Sequence, residues 1–185
     1  DFDDTTMGVN TVSFVSTPAF KLDWQKFSDA KEFKFEKNEM ERIVTGPIMI
    51  PNQPIYRFSD TIGPFYVKFT ENTISNTMKK YFKDNNSHNV NEEHNPNKSL
   101  NNVYLVESFI TGKRANSTIY KDIPAGTWMG SFFIEDEKYW DDVIMSDTFG
   151  GLSLEGVFDL RYEDEIVSQV YSEIEAVLFS DFIED

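Results

Sequence analysis

Residues 149–160 narrow the folds open to this chain more than any other stretch. They read Phe149-Gly150-Gly151-Leu152-Ser153-Leu154-Glu155-Gly156-Val157-Phe158-Asp159-Leu160, and polar and apolar residues alternate with a period of two. Successive side chains of a strand point to opposite faces, so Ser153, Glu155, Val157 and Asp159 share one face. Leu152, Leu154, Phe158 and Leu160 share the other. A strand of this kind is either a solvated sheet edge or a platform that holds polar groups in chosen places. The period alone leaves both readings open.

Other segments repeat the pattern. Ile43–Ile50 is rich in β-branched residues, with Gly46-Pro47 predicting a bulge or bend. Residues 54–58, 65–69, 103–110 and 127–134 read as further strands. Val103, Leu105, Glu107 and Phe109 fall on one face of theirs, which puts Glu107 among apolar neighbours, where a carboxylate needs a partner. Thr70 offers an N-cap to a helix whose stripe is Ile74, Met78 and Phe82, with lysines at its end. Residues 137–145 suit a short helix. An amphipathic helix is expected from Glu163 to about Ser180. Residues 84–102 hold eight asparagines among nineteen positions and predict a loop, with one short strand at 89–93.

These elements predict an α+β domain over residues 33–185, ending in the C-terminal helix. Its expected form is a partly closed antiparallel or mixed β-barrel of six to seven strands ringed by about three helices. Residues 1–32 hold no single period and are expected to be an extended N-terminal arm. Seventeen Phe and 15% aromatic residues require a packed interior. The net charge of −15 repels phosphate, so neither nucleic acid nor an anionic membrane is an expected partner; basic proteins are. No apolar run approaches the roughly 18 residues of a membrane span. The absence of cysteine removes disulfides, zinc-thiolate sites and thiol nucleophiles.

Chemistry must therefore come from two histidines, the hydroxyls and many carboxylates. His88, Glu92, Glu93 and His94 lack the spacing of a helical His-Glu-x-x-His site, and no metal or cofactor is expected. A serine nucleophile needs a base within hydrogen-bond reach and a third group to hold that base. Ser153 and His94 are the candidates for the first two roles. The glycines before Ser153 would let backbone N–H groups approach a substrate carbonyl. The sequence around Ser153 is not the hydrolase nucleophile elbow, which places Gly two positions after the Ser.

Six pieces in register carry a resemblance. They are Val15-Ser16-Thr17-Pro18-Ala19-Phe20, Ile43-Val44-Thr45-Gly46-Pro47 with Pro54-Ile55-Tyr56-Arg57, Asn89-Val90-Asn91-Glu92-Glu93-His94-Asn95, Val106-Glu107-Ser108-Phe109, Gly126-Thr127-Trp128 and Gly151-Leu152-Ser153-Leu154-Glu155-Gly156. From about residue 12 to 158 the chain resembles the phage prohead (procapsid maturation) serine protease family, in its branch from prophage head gene clusters. The resemblance implies an assemblin-like fold, shared with herpesvirus maturation proteases, and cleavage of scaffold and capsid proteins, with self-cleavage. Ser153 would be the nucleophile and His94 the general base, while His88 does not align. Glu107 is the favoured third member, ahead of Glu155 and then Asp159. Scaffold, capsid or portal-region proteins would be the partners, together with self-association. The location would be the prohead in the host cytoplasm, or the virion. Two other readings stand beside this one: a virion structural protein using the same fold without chemistry, and a carbohydrate-binding β domain with exposed Trp24, Trp128 and Trp140.

Overall fold

The computed structural model describes residues 8–16, 36–112 and 123–160. Within them the chain forms ten strands: β1 (Gly8–Val15), β2 (Glu36–Asn38), β3 (Ile43–Met49), β4 (Ile55–Ser59), β5 (Gly63–Val67), β6 (Val90–Glu92), β7 (Asn95–Ser99), β8 (Val103–Ile110), β9 (Trp128–Ile134) and β10 (Gly151–Val157). Helix α1 (Glu71–Lys83) follows β5, and a short α2 (Glu137–Tyr139) runs into a wider π-type turn at Trp140–Ile144. The α+β class is as expected. The barrel is not: the strands lie in three sheets, ordered β10-β1-β6-β7, β2-β3-β9-β8 and β4-β5.

The expected arm also needs correction. Residues 8–15 are a central strand, antiparallel to β10 on one side and parallel to β6 on the other. Val9, Val12, Phe14 and Val15 are buried. The alternation of β1 looks weak because Phe14 and Val15 are both buried at its end, so no clean period of two survives. The rest of residues 1–32, Trp24 and the C-terminal helix expected from Glu163 lie outside the described residues.

The two larger sheets meet through aromatic side chains. Phe14 of β1 stands edge-on to Phe132 of β9, with ring centroids 5.7 Å apart, and also contacts Phe149. Helix α1 caps one end of this core. Its Thr70 N-cap accepts a hydrogen bond from Thr73 N at 3.2 Å, and Lys80 and Lys83 complement the dipole in its last turn. Ile74, Thr77 and Tyr81 form its buried line, and Tyr81 stacks edge-on against Trp128 at 5.3 Å. The i+3, i+7 drift of that line leaves Phe82 exposed, although the sequence pattern placed it in the stripe.

Gly46-Pro47 acts as foreseen. The pairing of β3 with β9 shifts register between Pro47 and Met49. Strand β2 pairs only with residues 43–45, so Pro47 faces no ladder partner on that side. A second irregularity, between Leu105 and Glu107 on β8, was not legible. It leaves both Val106 and Glu107 exposed, while Val103, Leu105 and Ile110 stay buried. Glu107 is thus on the surface and not among apolar neighbours.

If β1 belongs to the core, Phe14→Ala should destabilise the protein by about 3–5 kcal/mol, the usual cost of deleting a buried Phe ring. Urea unfolding followed by tryptophan fluorescence reads this. A loss below about 1 kcal/mol would mean that β1 is a peripheral segment.

Candidate functional site

Strand pairing lines up the candidate residues. Ser13 of β1 lies opposite Ser153 of β10 in the antiparallel ladder and opposite Asn91 of β6 in the parallel one. Val12, Phe14, Val90 and Leu152, their neighbours in sequence, turn into the core. Ser13, Asn91 and Ser153 therefore form a polar row across the other face of three adjacent strands, and Glu155 joins that face two residues along β10. The row is not solvated: Ser13 is 0% exposed, Asn91 4% and Ser153 7%.

His94 reaches this row from a tight turn. Strands β6 and β7 pair antiparallel, with Glu92 opposite Asn95, so Glu93 and His94 are the two-residue loop of a hairpin. Both are left-handed, with φ of 50° and 56°. A two-residue loop of this type demands positive φ at both positions, a conformation that Asn and Gly adopt most readily. Held in a Glu and a His, it costs on the order of 1 kcal/mol or more per residue. Two bonds to β1 and its end hold the turn. Glu93 N donates to Phe14 O at 2.9 Å, and Ser16 N donates to Glu93 Oε1 at 2.7 Å.

The imidazole is thereby set between two hydroxyls. His94 Nε2 lies 3.0 Å from Ser153 Oγ, and Nδ1 lies 3.0 Å from Ser13 Oγ. Glu155 Oε1 is 3.4 Å from Nδ1. The same carboxylate oxygen accepts hydrogen bonds from Asn91 Nδ2 at 2.7 Å and from Ser13 Oγ at 3.0 Å. Ser13 Oγ is also 2.7 Å from Asn91 Oδ1. Burial alone would raise the Glu155 carboxyl. The hydrogen bonds from Asn91 and Ser13, together with the charge and hydrogen bond of His94, outweigh it and hold the carboxyl below its ordinary value. Glu155 is accordingly an anion at neutral pH, facing the side of the ring away from Ser153.

The structure thus unites Ser153 and His94 but not Glu107. Glu107 lies in the other four-stranded sheet, where its Oε2 accepts from Ser131 Oγ at 2.9 Å. Ser131 in turn accepts from Thr45, making a cross-strand polar row of Thr45, Ser131 and Glu107 with no part in the histidine cluster. Glu155 takes the position behind the ring, and Asp159 lies past the end of β10. His88 sits in a turn after α1 with its ring against Tyr104. Ser13 and Asn91 were missed as site residues. The register that places them is long-range, and no local pattern announces it. The expected use of the glycines also changes, because Gly150 N already donates to Val15 O at 2.9 Å.

On the core side of β10, opposite the face that carries the Ser153 hydroxyl, a small cavity is lined by Ile48, Met49, Ile50, Phe69 and Leu152, with Arg57 of β4. Partial burial lowers the Arg57 guanidinium from its ordinary value. Among the described residues no group of three or more His, Asp or Glu side chains is placed to hold a metal ion. Glu92 instead accepts from Tyr139 OH at 2.8 Å. Trp128 and Trp140 are buried, which removes two of the three rings of the carbohydrate-binding reading. Among the described residues no helix is long and apolar enough to cross a membrane.

No family model, no curated protein and no solved structure matches this chain.

The lowered Glu155 value has a consequence for stability. A carboxyl depressed in the folded state adds stability above its ordinary range and loses it as pH falls through the lowered value. The wild type should therefore be more stable than Glu155→Gln at pH 7, and the gap should close on acidification below the ordinary value of 4.5. Urea midpoints of the two proteins between pH 7 and pH 3 measure this. A gap that is independent of pH would mean that the carboxylate charge is not what the network stabilises.

Proposed function

We propose that the protein is a serine endopeptidase whose working groups are Ser153, His94 and Glu155. The observation that carries this reading is the 3.0 Å contact between His94 Nε2 and Ser153 Oγ, with an anionic carboxylate at 3.4 Å on the other ring nitrogen. An isolated serine hydroxyl is a weak nucleophile, and a base within hydrogen-bond reach is what activates it. In the first half-reaction Ser153 Oγ attacks a peptide carbonyl carbon while His94 Nε2 takes the hydroxyl proton. The imidazolium that forms is stabilised by Glu155. His94 then gives that proton to the leaving amine as the C–N bond breaks. Water, deprotonated by the same nitrogen, releases the acyl group from Ser153 in the second half.

The charge of −15 favours basic protein substrates and partners. Within this reading, prohead maturation is the setting that the sequence motifs suggest. It would involve cleavage of scaffold and capsid proteins, self-cleavage, an assemblin-like ancestry and a place in the immature head. Ser153 and His94 both belong to those motifs. One observation favours the alternative of a virion structural protein: the β4–β5 hairpin exposes Phe58 (64%), together with Tyr56, Tyr66 and Ile62. Exposed apolar surface of that kind suits packing against a neighbour.

The test is covalent. An alkyl fluorophosphonate should label Ser153 in the wild type, as located by peptide mass spectrometry, and should leave Ser153→Ala unmodified. His94→Ala should slow labelling by about 10²–10⁴-fold, the usual contribution of a general base. Wild-type protein that never labels at Ser153 would overturn the serine nucleophile. Labelling without cleavage of unfolded casein or of its own chain would leave an activated serine but overturn the endopeptidase assignment.

A further inference from the structure

We propose that Ser13 is a positioning residue that couples Glu155 to His94, so that the working unit is Glu155–Ser13–His94–Ser153. This rests on the reading of Ser153 and His94 just given and adds a member from the N-terminal strand.

Geometry selects Ser13 over Glu155 as the direct partner of the ring. Nδ1 lies 3.0 Å from Ser13 Oγ and 3.4 Å from Glu155 Oε1. An N–H···O hydrogen bond is normally 2.7–3.2 Å long, so the first contact fits and the second is long. The count of protons agrees. For Nε2 to accept from Ser153, the ring must carry its hydrogen on Nδ1, and that hydrogen needs an acceptor. Ser13 has one hydroxyl proton and two lone pairs. Its proton can point to Asn91 Oδ1 at 2.7 Å or to Glu155 Oε1 at 3.0 Å, and in either case a lone pair remains for Nδ1–H. Asn91 Nδ2 donates to the same Glu155 oxygen, which fixes the carboxylate and sets the amide so that its oxygen faces Ser13.

Position reinforces the assignment. Ser13 is fully buried and lies directly across the ladder from Ser153, so both hydroxyls flanking the imidazole are set by one strand pairing. The single proton of this buried hydroxyl has acceptors on the side away from the ring, Asn91 Oδ1 and Glu155 Oε1, so a lone pair is left facing Nδ1 and favours one tautomer. Glu155 supplies the charge, and Ser13 supplies the directional contact through which the ring feels it.

The experiment uses the full chain with ¹⁵N-labelled histidine. In the wild type the neutral His94 ring should show Nδ1 protonated and Nε2 bare. Ser13→Ala should mix the two tautomers and slow fluorophosphonate labelling of Ser153 by about 10–100-fold, the size of one lost hydrogen bond to a charged group. Ser13→Cys fills the volume with a poor acceptor and should behave like Ser13→Ala, which separates the effect from a packing defect. Because Ser13 acts through Glu155, Ser13→Ala combined with Glu155→Gln should label no more slowly than the worse single variant. Labelling of either Ser13 variant within twofold of wild type, an unchanged tautomer, or multiplicative losses in the double variant would overturn the proposal while leaving Ser153 and His94 as they are. Absence of labelling in the wild type would instead overturn the serine hydrolase reading itself.

Discussion

Everything at the candidate site depends on the register of β1. One strand pairs antiparallel with β10 and parallel with β6, and those two ladders alone bring Ser13, Ser153 and Asn91 into one row. A slip of one residue would turn Ser13 into the core and Phe14 out of it, since strand side chains alternate strictly. Phe14 prevents this. Its ring is fully buried against Phe132 and Phe149, so the hydrophobic core and the polar row are two faces of the same register. Burial on one side specifies chemistry on the other.

The same dependence explains which parts of the molecule could be read from the sequence. Ser153 was legible because local alternation around it is clean, with leucines on both sides. His94 was legible as a residue but not as a geometry. Its turn needs two left-handed residues, and the sequence offers Glu and His where Asn-Gly would have declared a hairpin. Strand β7 was hidden for a related reason. Asn95-Pro96-Asn97-Lys98-Ser99 reads as loop, and it is an edge strand exposed along most of its length, where proline and lysine are tolerated.

Glu107 and Glu155 exchanged places because a bulge is invisible to a period count. Extrapolating the alternation of Val103 and Leu105 forward makes Glu107 a core residue. The irregularity before it resets the phase and moves the carboxylate to the surface beside Ser131. Glu155, by contrast, follows Ser153 by one strand repeat with no interruption, so its face was correct, and only the partner across the sheet was unknown. That partner is a product of topology. The N-terminal strand inserts between two segments roughly 80 and 140 positions later, a closure that local pattern does not encode.

The strained turn is the feature most at odds with stability alone. Asn or Gly at residues 93 and 94 would relax the backbone, and Asn is abundant on either side, so a relaxed turn was within easy reach of this composition. Neither residue carries an imidazole. The observed turn keeps its unfavourable φ values because Phe14 O and Ser16 N engage Glu93, and because His94 meets a hydroxyl on each ring nitrogen. Strain maintained by several independent bonds around one imidazole is in keeping with the peptidase role proposed above. The same bonds tie the turn that carries His94 to the strand that carries Ser13. Glu155 and Ser153 share a single strand paired to that unit. The four side chains are consequently held by one continuous stretch of sheet.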